Sequence, residues 1–370
     1  MKHNNGKVAL ICLQSYKTRG EMVANHVMQK HPEKLNDIMV DITQVRFSNG
    51  EAKMQINESV RGKDVYIISD IGNYSCTYKM FGKESLMSPD DHFQDIKRCI
   101  SAMQGRAERL TVIMPLLYAS RQDRRRGQES LDCAIALQEL ERMGVDNIIS
   151  FDVHAPHVQN AIPITSFDNI ETHYPILEEF IRQEHTNIDK EKMIVIAPDT
   201  GATERAVKYA DMLGLDVGLT YKRRDYSVIE NGKNPVVEVA YLGRDVKDKI
   251  CIVVDDMIAG GGTVLGVAEE LKKRGAKEII IMATFAFFND GTEKFEKLHE
   301  DGIIKKVYST NLSYCCVDAK HAPWFTCVDL TPLIARLIVS RNEGKTIMQL
   351  LDSKEGLQRL INNLRAKKKK

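Results

Sequence analysis

The chain has 370 residues, 43% of them hydrophobic and 28% charged, with a formal net charge of +1. This composition excludes a disordered or fibrous chain and leaves room for two globular domains. So even a charge balance gives no overall field toward nucleic acid or an anionic membrane, and any anion must be held by a local site.

Residues 1–7 are polar and lead into KVALICL (7–13), an apolar run too short for a secretion signal. No later stretch approaches a membrane span. Further short apolar runs without strict alternation follow: VYIIS (65–69), TVIMPL (111–116), NIISF (147–151), MIVIA (193–197), ICIVVDD (250–256) and EIIIMATFAFF (278–288). Such runs are expected of parallel strands buried on both faces. Amphipathic segments at 128–143, 202–213 and 263–274 lie between them, and Gly144 and Gly275 stand where helix C-terminal caps belong. This alternation predicts an α/β protein of two doubly wound parallel-sheet domains, the pattern occurring once before about residue 150 and again after about 160. Segment 72–93 interrupts the rhythm and is expected to be an extended loop, and 222–235 is a second loop candidate. The eight cysteines lack CxxC spacing, which points to free buried thiols in a reducing cytoplasm. The lysine tail 367–370 reads as a solvated end.

The most informative segment is IVVDDMIAGGGT (252–263), a buried strand ending in two acids, then a glycine-rich turn opening a helix. Carboxylates at a strand's carboxyl end accept hydrogen bonds from vicinal sugar hydroxyls or hold a metal, and glycines let backbone N–H groups close around a phosphate. Thr263 and the helix start add donors and the positive end of the dipole. The order of residues points to a phosphosugar site at Asp255, Asp256, Ala259, Gly260, Gly261, Gly262 and Thr263. The segment resembles the phosphoribosyl-binding motif shared by type I phosphoribosyltransferases and ribose-phosphate pyrophosphokinases.

Other segments choose between those families. RFSNGE (46–51) and NESVRG (57–62) resemble the pyrophosphokinase N-terminal region, YASRQDR (118–124) its ATP segment and FDVHA (151–155) its metal-binding segment. APDTGA (197–202) is similar to its pyrophosphate loop, and Lys222–Arg223–Arg224 to its Lys-x-Arg catalytic pair. The resemblance implies adenine contacts from Phe47, Asn49 and Glu51 of a neighbouring subunit. It further implies ATP contacts from Arg121, Gln122 and His154, and pyrophosphate contacts from Asp199, Thr200, Gly201 and Ala202. His154 and Asp199 would serve Mg²⁺, with Lys222 and Arg224 catalytic. By itself Phe47 reads as a core residue, and a charge run such as 222–224 as a solvated loop.

The implied fold is a pair of type I phosphoribosyltransferase-like domains at 1–158 and 159–345, with a C-terminal helix and basic tail at 346–370. The implied reaction joins ATP and ribose 5-phosphate to give phosphoribosyl pyrophosphate and AMP for nucleotide biosynthesis. The implied assembly is a homohexamer of dimers, with no nucleic-acid or membrane partner. Ser120, segment 125–133, Ala259 and segment 159–163 depart from the family pattern, in ways that touch base selectivity and regulation more than chemistry. A phosphoribosyltransferase would need no ATP site. A regulatory homologue is favoured by segments 72–93 and 125–133, and opposed by Asp199, Lys222, Arg224, Asp255 and Asp256.

Overall fold

A computed structural model describes residues 6–30, 38–125, 127–184, 188–224, 236–347 and 354–367. The chain divides into two compact units. Unit 1 comprises Met1–Glu171, Leu312–Tyr314 and Asp329–Asp352, and unit 2 comprises Thr172–Asn311, Cys315–Val328 and Ser353–Lys370.

The sheet of unit 1 contains β1 (Lys7–Cys12), β4 (Lys63–Ile68), β7 (Arg109–Ile113), β8 (Asn147–Phe151) and β9 (Ser166–Ile170), side by side in that order. All four pairings are parallel. Their continuous apolar runs follow from burial on both faces. Ala9, Ile11, Val65, Ile67 and Val112 join one core with Phe93, Ile96 and Cys99 of helix α2 (Pro89–Met103) and Cys133 and Leu137 of α3 (Asp132–Arg142). The alternate residues Leu10, Tyr66 and Ile68 are equally buried. Helix α1 (Lys17–Lys30) packs with α9 (Thr331–Asn342), and the Tyr66 hydroxyl oxygen lies 3.3 Å from the Ile338 carbonyl. The second face of the sheet is thus closed partly by residues encoded far downstream.

Two antiparallel hairpins stand apart from this sheet: β2 (Ile42–Arg46) with β3 (Ala52–Ile56), and β5 (Thr77–Met80) with β6 (Lys83–Leu86). The second hairpin corrects the expectation of a loop across 72–93. Four residue pairs form a ladder from Thr77↔Leu86 to Met80↔Lys83, and α2 begins at once behind it. Ser88 Oγ accepts the Asp91 N–H at 3.1 Å while the Asp91 carboxylate accepts the Ser88 N–H at 2.9 Å, a reciprocal N-terminal box. Helix α3 starts later than the expected residue 128, because Leu131 takes non-helical dihedrals, φ −126° and ψ 62°.

In unit 2 the sheet order is β12 (Val236–Leu242), β11 (Val217–Arg224), β10 (Met193–Ala197), β13 (Ile250–Ile258), β14 (Glu278–Ala286), β15 (Lys306–Thr310) and β16 (Phe325–Val328). Only the β11–β12 pair is antiparallel. The chain adds β11 on one side of β10 and then returns to add β13 on the other. The reversal that marks a doubly wound sheet therefore falls between β10 and β13. Helices α4 (His173–Glu184), α5 (Thr203–Leu213), α6 (Gly262–Lys273), α7 (Glu293–Glu300), α8 (Val317–His321) and α10 (Lys354–Lys367) complete the unit. Gly144 and Gly275, with φ 84° and 85°, end α3 and α6 as their positions in the sequence suggested.

The expected loop at 222–235 is in part strand: Lys222 and Arg224 extend β11 opposite Val239 and Val236, and 225–235 lie outside the described residues. Residues 368–370 of the lysine tail also lie outside them. All eight cysteines are free thiols. Among the described residues no helix is long and apolar enough to cross a membrane.

Candidate active site

The site in unit 2 grows from the carboxyl ends of neighbouring strands at the reversal. β10 and β13 are paired through Ile196↔Val253, so the segment after Ala197 and the end of β13 leave the same edge of the sheet. Open α/β sheets bind ligands in the crevice this creates. After β10, Asp199 Oδ1 accepts the Ala202 N–H at 3.1 Å, curling the exposed Asp199–Thr200–Gly201 turn toward the start of α5. Thr220 anchors the root of that turn from β11. Its fully buried hydroxyl lies 3.2 Å from the Ala197 carbonyl and 2.9 Å from that of Pro198.

On β13, Asp255 Oδ1 accepts the N–H of Asp256 at 2.8 Å. Burial and the charge of Asp256 push the Asp255 carboxyl up to about 8, against the lowering effect of the Asp256 N–H, and Asp199 pushes in the same upward direction. The turn after β10 and the end of β13 therefore bring three carboxylates within electrostatic reach of one another. Beyond them, Gly261 adopts φ 81° and has the Phe295 ring against it, so that a Cβ there would meet Cε2 and Cζ at 2.6 Å. At Gly260 a Cβ would collide with the Asp290 carboxylate. The turn is pinned to the end of β14 by Phe287 N–H to Ile258 O at 2.8 Å and Asn289 N–H to Ala259 O at 2.9 Å. Gly262 then opens α6, with Thr263 in its first turn and nothing within 4 Å of the Gly262 Cβ position. The helix start is left approachable for an anion. Lys222 and Arg224 are described only as strand backbone of β11, which pairs with β10 through Ala197↔Leu219.

In unit 1, Arg121 and Gln122 lie on the turn after β7 and His154 after β8, all three exposed. Ala119 at φ 53° makes the first turn, closed by Gln122 N–H to Ala119 O at 2.8 Å. Asp152 at φ 40° makes the second. The two turns are joined by His157 Nε2 and Asp123 Oδ2, 3.3 Å apart, with the Asp123 side chain almost buried. Phe47, Asn49 and Glu51 form a tight turn between β2 and β3. Phe47 N–H donates to Glu51 O at 2.8 Å, and Asn49 Nδ2 donates to the Glu51 carboxylate at 2.9 Å. Phe47 is 45% exposed, so it is not the core residue its type alone suggests. Among the described residues no group of three or more His, Cys, Asp or Glu side chains is arranged to hold a metal ion.

Residue-by-residue reading missed Thr220, Asp290 and the His157–Asp123 pair. The one faint signal was a hydroxyl at the end of the apolar run Val217–Gly218–Leu219.

Residues 9–144 match the N-terminal domain of ribose phosphate pyrophosphokinase, and residues 164–320 match a phosphoribosyl transferase domain. A ribose-phosphate pyrophosphokinase of Vibrio cholerae is 34% identical over 271 residues, 72% of this chain and 77% of the relative. The chain belongs to the ribose-phosphate pyrophosphokinase family. Another such relative, from Mycoplasma pneumoniae, is 29% identical over 85% of this chain and 89% of its own length. The crystal structure of phosphoribosylpyrophosphate synthetase from Mycobacterium smegmatis superposes with a TM-score of 0.73 at 27% identity, covering 91% of this chain and 99% of that one. The fold is accordingly that of the family, two α/β domains of phosphoribosyltransferase type. The first matched span contains the Phe47 turn, Arg121 and the β5–β6 hairpin, and the second contains Asp199, β11 and the Asp255–Thr263 segment.

Proposed function

We propose that this chain is a ribose-phosphate diphosphokinase, transferring the β,γ-pyrophosphoryl group of ATP to O1 of ribose 5-phosphate. The O1–Pβ bond forms as O1 loses its proton to solvent, the bond from Pβ to the α,β-bridging oxygen breaks, and AMP leaves. The observation that carries this reading is the pair of loops at the β10/β13 reversal in a chain of this family.

Asp255 and Asp256 accept hydrogen bonds from the ribose hydroxyls, while Ala259, Gly260, Gly261, Gly262 and Thr263 grip the 5-phosphate with backbone N–H groups and the helix start. Thr200, Gly201 and Ala202 face the transferred pyrophosphoryl group. Lys222 and Arg224 stabilise its developing charge. Phe47, Asn49 and Glu51 hold adenine by an apolar face and acceptor groups, and Arg121, Gln122 and His154 meet the rest of ATP. When bound, Mg²⁺ supplies neutralisation of the phosphate charge. The mutual repulsion that raises Asp255 is what a divalent cation near Asp199 relieves. His154 offers that ion a nitrogen, the weaker donor type for it. We place the active enzyme in the cytoplasm as a homohexamer built from dimers, with the Phe47 turn serving a neighbouring subunit. The eight free thiols fit a reducing compartment.

The test is AMP and phosphoribosyl pyrophosphate production by the purified chain given Mg-ATP, with and without ribose 5-phosphate. AMP should appear only with the sugar phosphate. AMP formation that ignores the sugar, or none at all, overturns the reading. Lys222→Ala should lower turnover by about 100-fold with little change in ATP binding, because its charge acts mainly in the transition state.

A further inference from the structure

The β5–β6 hairpin is the part of unit 1 that the activity does not absorb, yet it is built against the Phe47 turn. At its tip, the Phe81 N–H donates to the Ser48 carbonyl at 2.7 Å. Met80 fills the space at Gly50, where a Cβ would meet its sulfur at 2.9 Å. Arg46, the last residue before the turn, lies over the Tyr78 ring at 5.3 Å and is ion-paired to Asp95 at 2.7 Å and Asp91 at 3.4 Å. The hairpin and α2 together therefore fix both the entry and the crest of the turn.

The tip residues themselves are unusual. Phe81 and Gly82 both have positive φ, 49° and 78°, in a two-residue connection of the kind that Asn-Gly suits best. A bulky aromatic residue is uncommon in that conformation. Phe81 is 77% exposed and gains little from burial, one hydrogen bond away from the turn that carries exposed Phe47. The local fold thus sets two exposed phenylalanines on turns joined by a backbone hydrogen bond, the Phe47 turn also carrying the Asn49 amide and the Glu51 carboxylate. That combination, apolar faces edged with hydrogen-bonding groups, suits a purine base.

We propose that the β5–β6 hairpin is part of the nucleotide-base site, positioning the Phe47–Glu51 turn and adding Phe81 as a second apolar face for adenine. This rests on the assignment of the Phe47 turn to ATP. Phe81→Asn tests it, because Asn-Gly keeps the turn and removes only the ring. The melting temperature should stay the same or rise, KM for ATP should rise about tenfold, and KM for ribose 5-phosphate and kcat at saturating ATP should stay within about twofold. Phe81→Trp should restore the ATP KM. An unchanged ATP KM in Phe81→Asn overturns the proposal, as does an equal rise in both KM values, which would mark a general structural role. Phe47→Ala, measured alongside, separates the two levels. If it moves the ATP KM and Phe81→Asn does not, the hairpin inference alone falls. If neither moves it, the assignment of the turn to ATP falls first.

Discussion

At Asp255, burial and the charges of Asp256 and Asp199 all resist ionisation, and the carboxyl is pushed up to about 8. The folded chain therefore holds this proton more tightly than the unfolded chain, whose aspartates ionise near about 4. The stability linked to it is fully present below pH about 4 and is lost as the pH rises through about 8. In metal-free protein, Asp255→Asn removes that loss. The variant should gain melting temperature relative to the parent between about pH 5 and pH 8.5, and a difference that does not change with pH would contradict the assignment. The position was legible in the sequence because two acids, three glycines and a threonine share one short segment. Asp290 and Thr220 were not. Each acts on a loop 22 or more residues away, through a neighbourhood that exists only once β10, β11, β13 and β14 are side by side.

At the level of elements, the buried central strands could be read from their apolar runs, whereas the hairpins and sheet edges could not. β5 and β6 have four residues each, TYKM and KESL, with mostly polar side chains that are half-buried or exposed, and their turn lacks the usual Asn-Gly. Nothing in their periodicity separates them from a loop. The box at Ser88 was also hidden, because Asp91 fills the place more often held by Glu or Gln. Its energetic role can be measured: Ser88→Ala leaves the Asp91 N–H without its acceptor and should cost about 1 kcal/mol. The urea midpoint should fall with the slope unchanged. No shift in midpoint would show that water replaces the hydroxyl without cost.

On the scale of the whole molecule, unit 1 is held together by a polar cluster at the amino ends of its strands. Asp64, fully buried on β4, accepts from Arg109 Nε at 2.8 Å, from the Tyr66 hydroxyl at 2.8 Å and from Asn342 Nδ2 at 2.8 Å. Arg109 Nη2 also donates to the Arg341 carbonyl at 3.1 Å. Removing Asp64 leaves the part-buried Arg109 guanidinium, the Tyr66 hydroxyl and the Asn342 amide without their shared acceptor, so Asp64→Ala should destabilise the protein by about 3 kcal/mol. Chemical denaturation with the Asn342→Ala variant and the double variant would show the two losses to be less than additive. Additive losses would mean that the cluster is not one unit. This closure by residues 331–342 was not readable beforehand, because α9 has an unremarkable helical sequence and its partners are set by topology alone. The order of synthesis gives it a further consequence. A ribosome adding about 5–20 residues per second needs roughly 10–30 s to pass from the end of the first long segment of unit 1 at Glu171 to the end of α9 at Asn342. Throughout that interval the nascent N-terminal unit lacks α9, which in the finished protein packs with α1 and lies against Tyr66, and so offers holdase chaperones an apolar surface that is later covered.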